Sequence, residues 1–160
     1  MEYPEQIITD KEGREYLLEV VDDDKDRFEV HLFHGDIWIG KAVCLLNLPD
    51  EMEWADIVIW DHVVPRRRGL CRLIPYGMWS KLKATSYRKR GLGTKLLKIV
   101  VEKARKENVG RIRGFVTNQG VADNINLLNW YQKHGFRVIP VVSPGTLMTD
   151  KVAWIQMDLK

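Results

Sequence analysis

Apolar residues fall on two different beats along this chain. In the first part the beat is two. Residues 16–21 (YLLEVV) predict a strand, and the DDDKD after them reads as a charged turn. Arg27–Phe33 puts Phe28, Val30 and Leu32 on one side, the period of a half-buried strand. His34-Gly35-Asp36 is a hairpin-type turn. Asp36–Leu46 resumes as a long strand, with Ile37, Ile39, Ala42 and Cys44 among its apolar members. Pro49–Glu53 interrupts it. Ala55–Val63 is short and rich in β-branched residues, so it reads as a fourth strand. Short connections make the four segments an antiparallel meander.

Residues 64–86 carry neither beat. They hold Pro65, Pro75, two glycines and several basic side chains, and they read as an insertion. Tyr76–Lys83 is an alternative fourth strand within it. The beat then becomes helical. Leu96, Leu97, Val100, Val101 and Ala104 share one face, while Lys95, Lys98, Glu102 and Lys103 fill the other. Asn108 and Gly110 offer a stop. Arg111–Thr117 is a short strand. Asp123 or Asn124 is expected to cap a second helix bearing Leu127, Leu128 and Tyr131, ended by Gly135. Phe136–Val141 and Val152–Leu159 are strands, with Ser143-Pro144-Gly145 turning the chain between them. The order predicts an α+β fold with a mixed, mostly antiparallel sheet. A strand–helix–strand step requires one parallel pair in it.

Composition narrows this little. The 160 residues predict one domain over 1–160, able to bury its own core. A hydrophobic share of 45% and a charged share of 29% suit a folded protein. A net charge of +3 fits an anionic small ligand better than a nucleic acid. Arg66–Arg68, Arg72, Lys81 and Lys83, interleaved with Trp60, Tyr76 and Trp79, form a basic aromatic patch. The acidic N-terminal third argues against reading it as a nucleic-acid surface. Cys44 and Cys71 match no metal spacing and read as buried thiols of a reducing compartment. No apolar run approaches the ~18 residues of a membrane span, and the first residues do not form a signal peptide. A cytoplasmic protein without a metal is expected.

The chemistry concentrates at residues 86–95, SYRKRGLGTK. A helix exposes unpaired N–H groups and a partial positive charge at its first turn. Gly91 and Gly93 permit close approach, and Arg88, Lys89 and Arg90 add cations. Such a turn suits a phosphate or pyrophosphate. It is not a Walker loop, because Gly93 is followed by Thr94-Lys95. It is not a dinucleotide fingerprint either, because position 96 is Leu. Arg66–Cys71 nearly repeats the pattern, but Cys71 replaces the second glycine and Pro75 would disrupt a helix there.

A second motif, NINLLNWYQKHGF at 124–136, adds an asparagine some seven residues before Tyr131, then Gly135-Phe136. With both motifs in this order, the chain resembles the GNAT superfamily of acetyl-CoA-dependent N-acetyltransferases. The resemblance runs from about Arg27 to Val141. It implies a central parallel strand pair splayed around the pantetheine arm of acetyl-CoA, with Ala55–Val63 and Arg111–Thr117 as the pair. It also implies that the backbone of Arg88, Lys89, Arg90, Gly91, Leu92, Gly93 and Thr94 holds the pyrophosphate, with Arg88 orienting the loop. Asn124 would bond the pantetheine arm or the local backbone. Asn118, Asn126 and Asn129 compete with it, because the stretch after Thr117 is longer than the family's. Tyr131 would place its hydroxyl near the CoA sulfur. The implied reaction is direct attack by a primary amine of a small molecule or peptide. Asp56 and Asp61, with Glu53 nearby, are candidate bases. Homodimerisation is common in the family. A catalytically inactive CoA-binding module is the rival reading.

Overall fold

The computed structural model describes residues 6–24, 26–48, 50–65, 86–141 and 150–159; of 22–24, 47–48 and 61–65 it describes the backbone alone. In chain order the elements are β1 (Gln6–Thr9), β2 (Glu15–Asp24), β3 (Arg27–His34), β4 (Ile37–Leu48), β5 (Glu51–Pro65), α1 (Leu92–Lys106), β6 (Arg111–Thr117), α2 (Asn118–Asp123), α3 (Leu127–Lys133), β7 (Arg137–Pro140) and β8 (Lys151–Asp158). The strand order is β1-β2-β3-β4-β5-β6-β8-β7. The pairing is antiparallel in β1–β2, β2–β3, β6–β8 and β7–β8, and parallel in β5–β6. This is the mixed, mostly antiparallel α+β sheet that the hydrophobic beats predict.

Several boundaries differ from the sequence reading. A short β1 precedes the expected first strand. Asp22, Asp23 and Asp24, expected in a turn, belong to β2, and Asp26 stays in the turn. β5 begins at Glu51, so the interruption after β4 is brief. β5 is the fourth strand of the expected meander; Tyr76–Lys83, the alternative, lies outside the described residues. So do Arg66–Arg68, Cys71, Arg72 and the turn at 143–145.

The chain divides into two compact units: residues 1–43 with 56–100, and residues 44–55 with 101–160. In the first, period-2 alternation puts Phe28, Val30 and Leu32 inside with Tyr16, Leu18 and Ile39. Leu92, Leu96, Leu97 and Val100 of α1 are buried at helical spacing. In the second unit, Met52, Trp54, Ile112, Val116, Tyr131, Phe136, Ala153 and Ile155 are buried. Cys44 is buried there as a free thiol, and burial pushes its pKa well up. Lys103, expected on the solvated face of α1, is also buried. Its ammonium reaches Glu107 at 2.8 Å, one turn on. Asn108, with φ 57°, ends α1 as the sequence suggests.

The turn between β1 and β2 is held by one carboxylate. Asp10 Oδ1 accepts from the N–H groups of Glu12 (2.8 Å) and Arg14 (3.0 Å). Its Oδ2 accepts from the Tyr16 hydroxyl at 2.8 Å and from Arg90 Nη1 at 3.4 Å. Burial opposes the ionised form of Asp10. The hydrogen bonds from Arg14, Tyr16, Glu12 and Arg90 together outweigh it, and its pKa falls to about 2. Burial and the adjacent Asp10 push the Tyr16 hydroxyl up to about 12.

The parallel register pairs Glu51, Met52, Glu53 and Trp54 with Arg111, Ile112, Arg113 and Gly114. It stops at Trp54, although both strands continue. A side chain at Gly114 would meet the Trp54 carbonyl oxygen at 2.7 Å, so glycine is what permits this close approach. The Trp54 ring packs edge-on against Tyr131 (6.5 Å) and lies 6.4 Å from Phe136. Its indole N–H has no hydrogen-bond partner among the described residues.

Two outcomes follow for stability. Asp10 has a native pKa below its unfolded value, so its contribution is present above about pH 4 and is lost as pH falls towards 2. Acid unfolding of Asp10→Asn followed by circular dichroism should therefore lack part of the wild-type pH dependence in that window and start from lower stability at pH 7. Trp54→Ala should cost about 3–5 kcal/mol in urea unfolding. Trp54→Phe should cost much less, because no hydrogen bond is lost with the indole.

Candidate active site

The segment from Ser86 to Gly91 delivers the chain into α1, and its backbone is unusual. Lys89 has φ 62° and Gly91 φ 84°, both left-handed, while Arg90 between them is not. Alternation of this kind turns successive N–H groups towards one side and makes an anion-binding nest. Only a residue that tolerates positive φ fits position 91, which explains the first glycine of the motif. The Lys95 N–H donates to Gly91 O at 3.2 Å and closes the opening turn of α1. The N–H groups of Leu92, Gly93 and Thr94 precede that bond, at the positive end of a 15-residue helix.

Each cation of the loop has its own position. Arg88 is exposed, and its Nε donates to Ile59 O on β5 at 3.2 Å. Lys89 is exposed. Arg90 faces inward: Nε donates to Ser86 O at 2.6 Å, and Nη1 reaches Glu12 at 2.8 Å as well as Asp10. The guanidinium that the sequence offers as a phosphate ligand thus braces the loop. The Lys11 N–H adds a long backbone contact to Arg90 O at 3.4 Å. Leu92 has 1% of its surface exposed, so only its backbone can face a ligand.

Beneath the loop lies a polar aromatic cluster. Tyr87 is buried, and its hydroxyl shares a 3.1 Å hydrogen bond with His34 Nδ1. The His34 ring lies 5.2 Å from Tyr16, which bonds Asp10. Burial raises the pKa of the Tyr87 hydroxyl, against the opposing charges of Arg90 and Arg14. Sequence reasoning missed Asp10, Glu12, Tyr16, His34 and Tyr87. A local signal existed for Asp10, which opens an Asp-Lys-Glu-Gly turn in which Gly13 has φ 79°.

In the other unit, Tyr131 sits on α3 with 4% of its surface exposed. Rings of Trp54, Trp130 and Phe136 surround it, at 6.5, 4.9 and 5.4 Å. Gly135, with φ 90°, ends the helix. The expected cap of this helix is corrected. α2 occupies the stretch that looked long, with Thr117 Oγ1 accepting from the Gly120 N–H at 3.1 Å. Asn124 closes α2, and Asn126 takes the N-cap position of α3. The Asn124 side-chain oxygen accepts from the Asn126 N–H at 3.2 Å, which is the local-backbone role.

The carboxylate candidates lie along β5. Glu53 is half-buried within the parallel register, and Asp56 is exposed just past its end. Asp61 is on the same strand, with its side chain outside the described residues. Among the described residues no cluster of three or more His, Cys, Asp or Glu side chains could hold a metal ion. No helix among them is long and apolar enough to cross a membrane.

Solved structures share this fold. PaiA N-acetyltransferase from Thermoplasma acidophilum, in complex with coenzyme A, aligns with a TM-score of 0.53 at 14% identity. The match covers 83% of this chain and 61% of that one, so the present chain spans about three fifths of that protein's length. A GNAT family acetyltransferase from Elizabethkingia anophelis with acetyl-CoA bound aligns at 0.54 and 17% identity, covering 84% and 78%. Nourseothricin acetyltransferase aligns at 0.55 and 19% identity, covering 98% and 84%. At these identities the likeness establishes the fold. No curated protein sequence matches. The sequence profile described as the acetyltransferase (GNAT) family matches residues 6–136, and the chain belongs to that family.

Proposed function

We propose that this protein moves an acetyl group from acetyl-CoA to a primary amine by direct attack. The observation that carries the reading is the loop from Arg88 to Gly93: two left-handed residues, one of them a glycine, open the N-terminus of a 15-residue helix. Coenzyme A and acetyl-CoA in the two similar structures support the same ligand.

In this reading the backbone N–H groups of Arg88–Thr94 hold the pyrophosphate, with Arg88 and Lys89 as the outward cations. Arg90 keeps the loop in shape. The acceptor must be an unprotonated amine when it attacks. A carboxylate of β5, Asp56 or Asp61, first takes a proton from the bound ammonium, directly or through water; the freed nitrogen adds to the thioester carbonyl, and the surplus N–H proton of the adduct passes to solvent. Backbone N–H groups of β5 stabilise the oxyanion. Collapse breaks the C–S bond and expels the CoA thiolate. A free thiol has a pKa of roughly 8.5, so the thiolate needs little help to leave. Tyr131 supplies its proton, held in place by the three rings around it. Neither Cys44 nor Cys71 takes part, and no acyl-enzyme forms. Asn124 shapes the chain between α2 and α3, and its side chain bonds the pantetheine arm or the local backbone.

A thiol-release assay with acetyl-CoA against a panel of amines tests the reading. Release with at least one amine is expected. Acetyl-CoA binding without any turnover would favour a coenzyme-binding module instead. Tyr131→Phe should reduce kcat by roughly a hundredfold or more while acetyl-CoA affinity stays nearly intact; an unchanged kcat removes Tyr131 from the acid role. Gly93→Phe should abolish acetyl-CoA binding in calorimetric titration, and retained binding would mean that the loop does not hold the coenzyme.

A further inference from the structure

One sheet face of the first compact unit has an uncommon make-up. An antiparallel sheet that turns one face to the core normally carries solvated polar residues on the other. Here Phe28, Val30 and Leu32 of β3 point to the core, so Glu29, His31 and Phe33 share the opposite face. Glu19 of β2 stands directly across from His31 and shares that face. The Trp38 ring of β4 lies 5.1 Å from His31, and the Trp60 ring of β5 meets Trp38 edge-to-face at 4.8 Å. The result is a shelf across four strands with two carboxylates at one end and two indoles at the other. His31, Trp38, Trp60, Glu19 and Glu29 are all partly exposed.

The shelf is fixed in place. The Trp38 indole N–H donates to Gly40 O at 2.9 Å. His31 Nε2 donates to Glu29 Oε2 at 2.6 Å, and Arg27 pairs with the other oxygen of Glu29. Burial opposes charge on Glu29, but the bond to His31 and the charge of Arg27 hold its pKa below the usual value. The shelf also adjoins the coenzyme loop: Arg88 is bonded to Ile59 O, one residue before Trp60.

We infer that this shelf binds the acceptor, and that the acceptor is an organic cation with a flat or bulky apolar body. Indole faces attract ammonium groups and cover hydrocarbon, and carboxylates beside them favour the protonated amine over a neutral analogue. The inference rests on the acetyl-transfer reading, whose failure shows separately in acetyl-CoA binding and turnover.

Calorimetric titration of the wild-type protein, loaded with coenzyme A, compares 2-phenylethylamine with its uncharged analogue 2-phenylethanol. The amine should bind about tenfold or more tightly. Glu29→Gln should narrow that gap. Trp60→Leu, which keeps apolar bulk, should weaken amine binding several-fold, and Trp60→Phe should recover most of it. All three variants should bind acetyl-CoA as the wild type does. Equal binding of amine and alcohol, or turnover of other amines with no phenylethylamine binding, overturns the shelf while leaving acetyl transfer standing. Amine binding without any turnover keeps the shelf and ends the acetyl-transfer reading.

Discussion

The contact between Asp10 and Arg90 orders much of what surrounds it. A buried carboxylate is unfavourable unless its oxygens are satisfied. Asp10 meets that condition by gathering two backbone N–H groups, a tyrosine hydroxyl and a guanidinium. In doing so it shapes the β1–β2 turn and fixes the residue just before Gly91. Arg90 is satisfied in turn by Glu12 and the Ser86 carbonyl. The loop at the head of α1 is thus clamped from below by charge. Its anion-facing character comes from its backbone, with Arg88 and Lys89 outward.

Function in this fold divides between backbone and side chain. In the proposed reaction the loop at the head of α1 would hold the coenzyme through φ angles and N–H directions, which glycine and a helix start provide. Tyr131 depends on packing, since a ring boxed by Trp54, Trp130 and Phe136 has little rotational freedom. Gly114 serves packing as well, because it lets β6 come close to Trp54 where the parallel pairing ends. A family profile and weakly similar solved structures agree on this architecture while their sequences have diverged.

Much of this is legible in the sequence itself. Phe28, Val30 and Leu32 announce a strand by alternation, and all three are buried. Leu96, Leu97 and Val100 announce α1 by helical spacing, and Gly91 announces a turn. Hydrophobic period is a local property, so it is readable locally. What stayed hidden was long-range or polar. Nothing near Arg90 says that its partners sit at positions 10 and 12. Lys103 looked solvated because lysine usually is, yet it is buried and its ammonium reaches the carboxylate of the exposed Glu107. α2 escaped because six residues with one glycine carry too little periodic signal, and the cap expected at Asp123 or Asn124 falls at Asn126 as a result. The aromatic shelf was also invisible, since His31, Trp38 and Trp60 come together only when three strands align.

The brace joins groups 80 residues apart in the chain. Contacts of such separation bear a large loop-closure cost and tend to form late, after local helices and hairpins exist. A nascent or partly unfolded chain can therefore hold α1 and the β2–β3 hairpin and still lack a shaped coenzyme loop. Competence to hold acetyl-CoA would then arrive with the last steps of folding, and the coenzyme would act as a ligand selective for the finished native state.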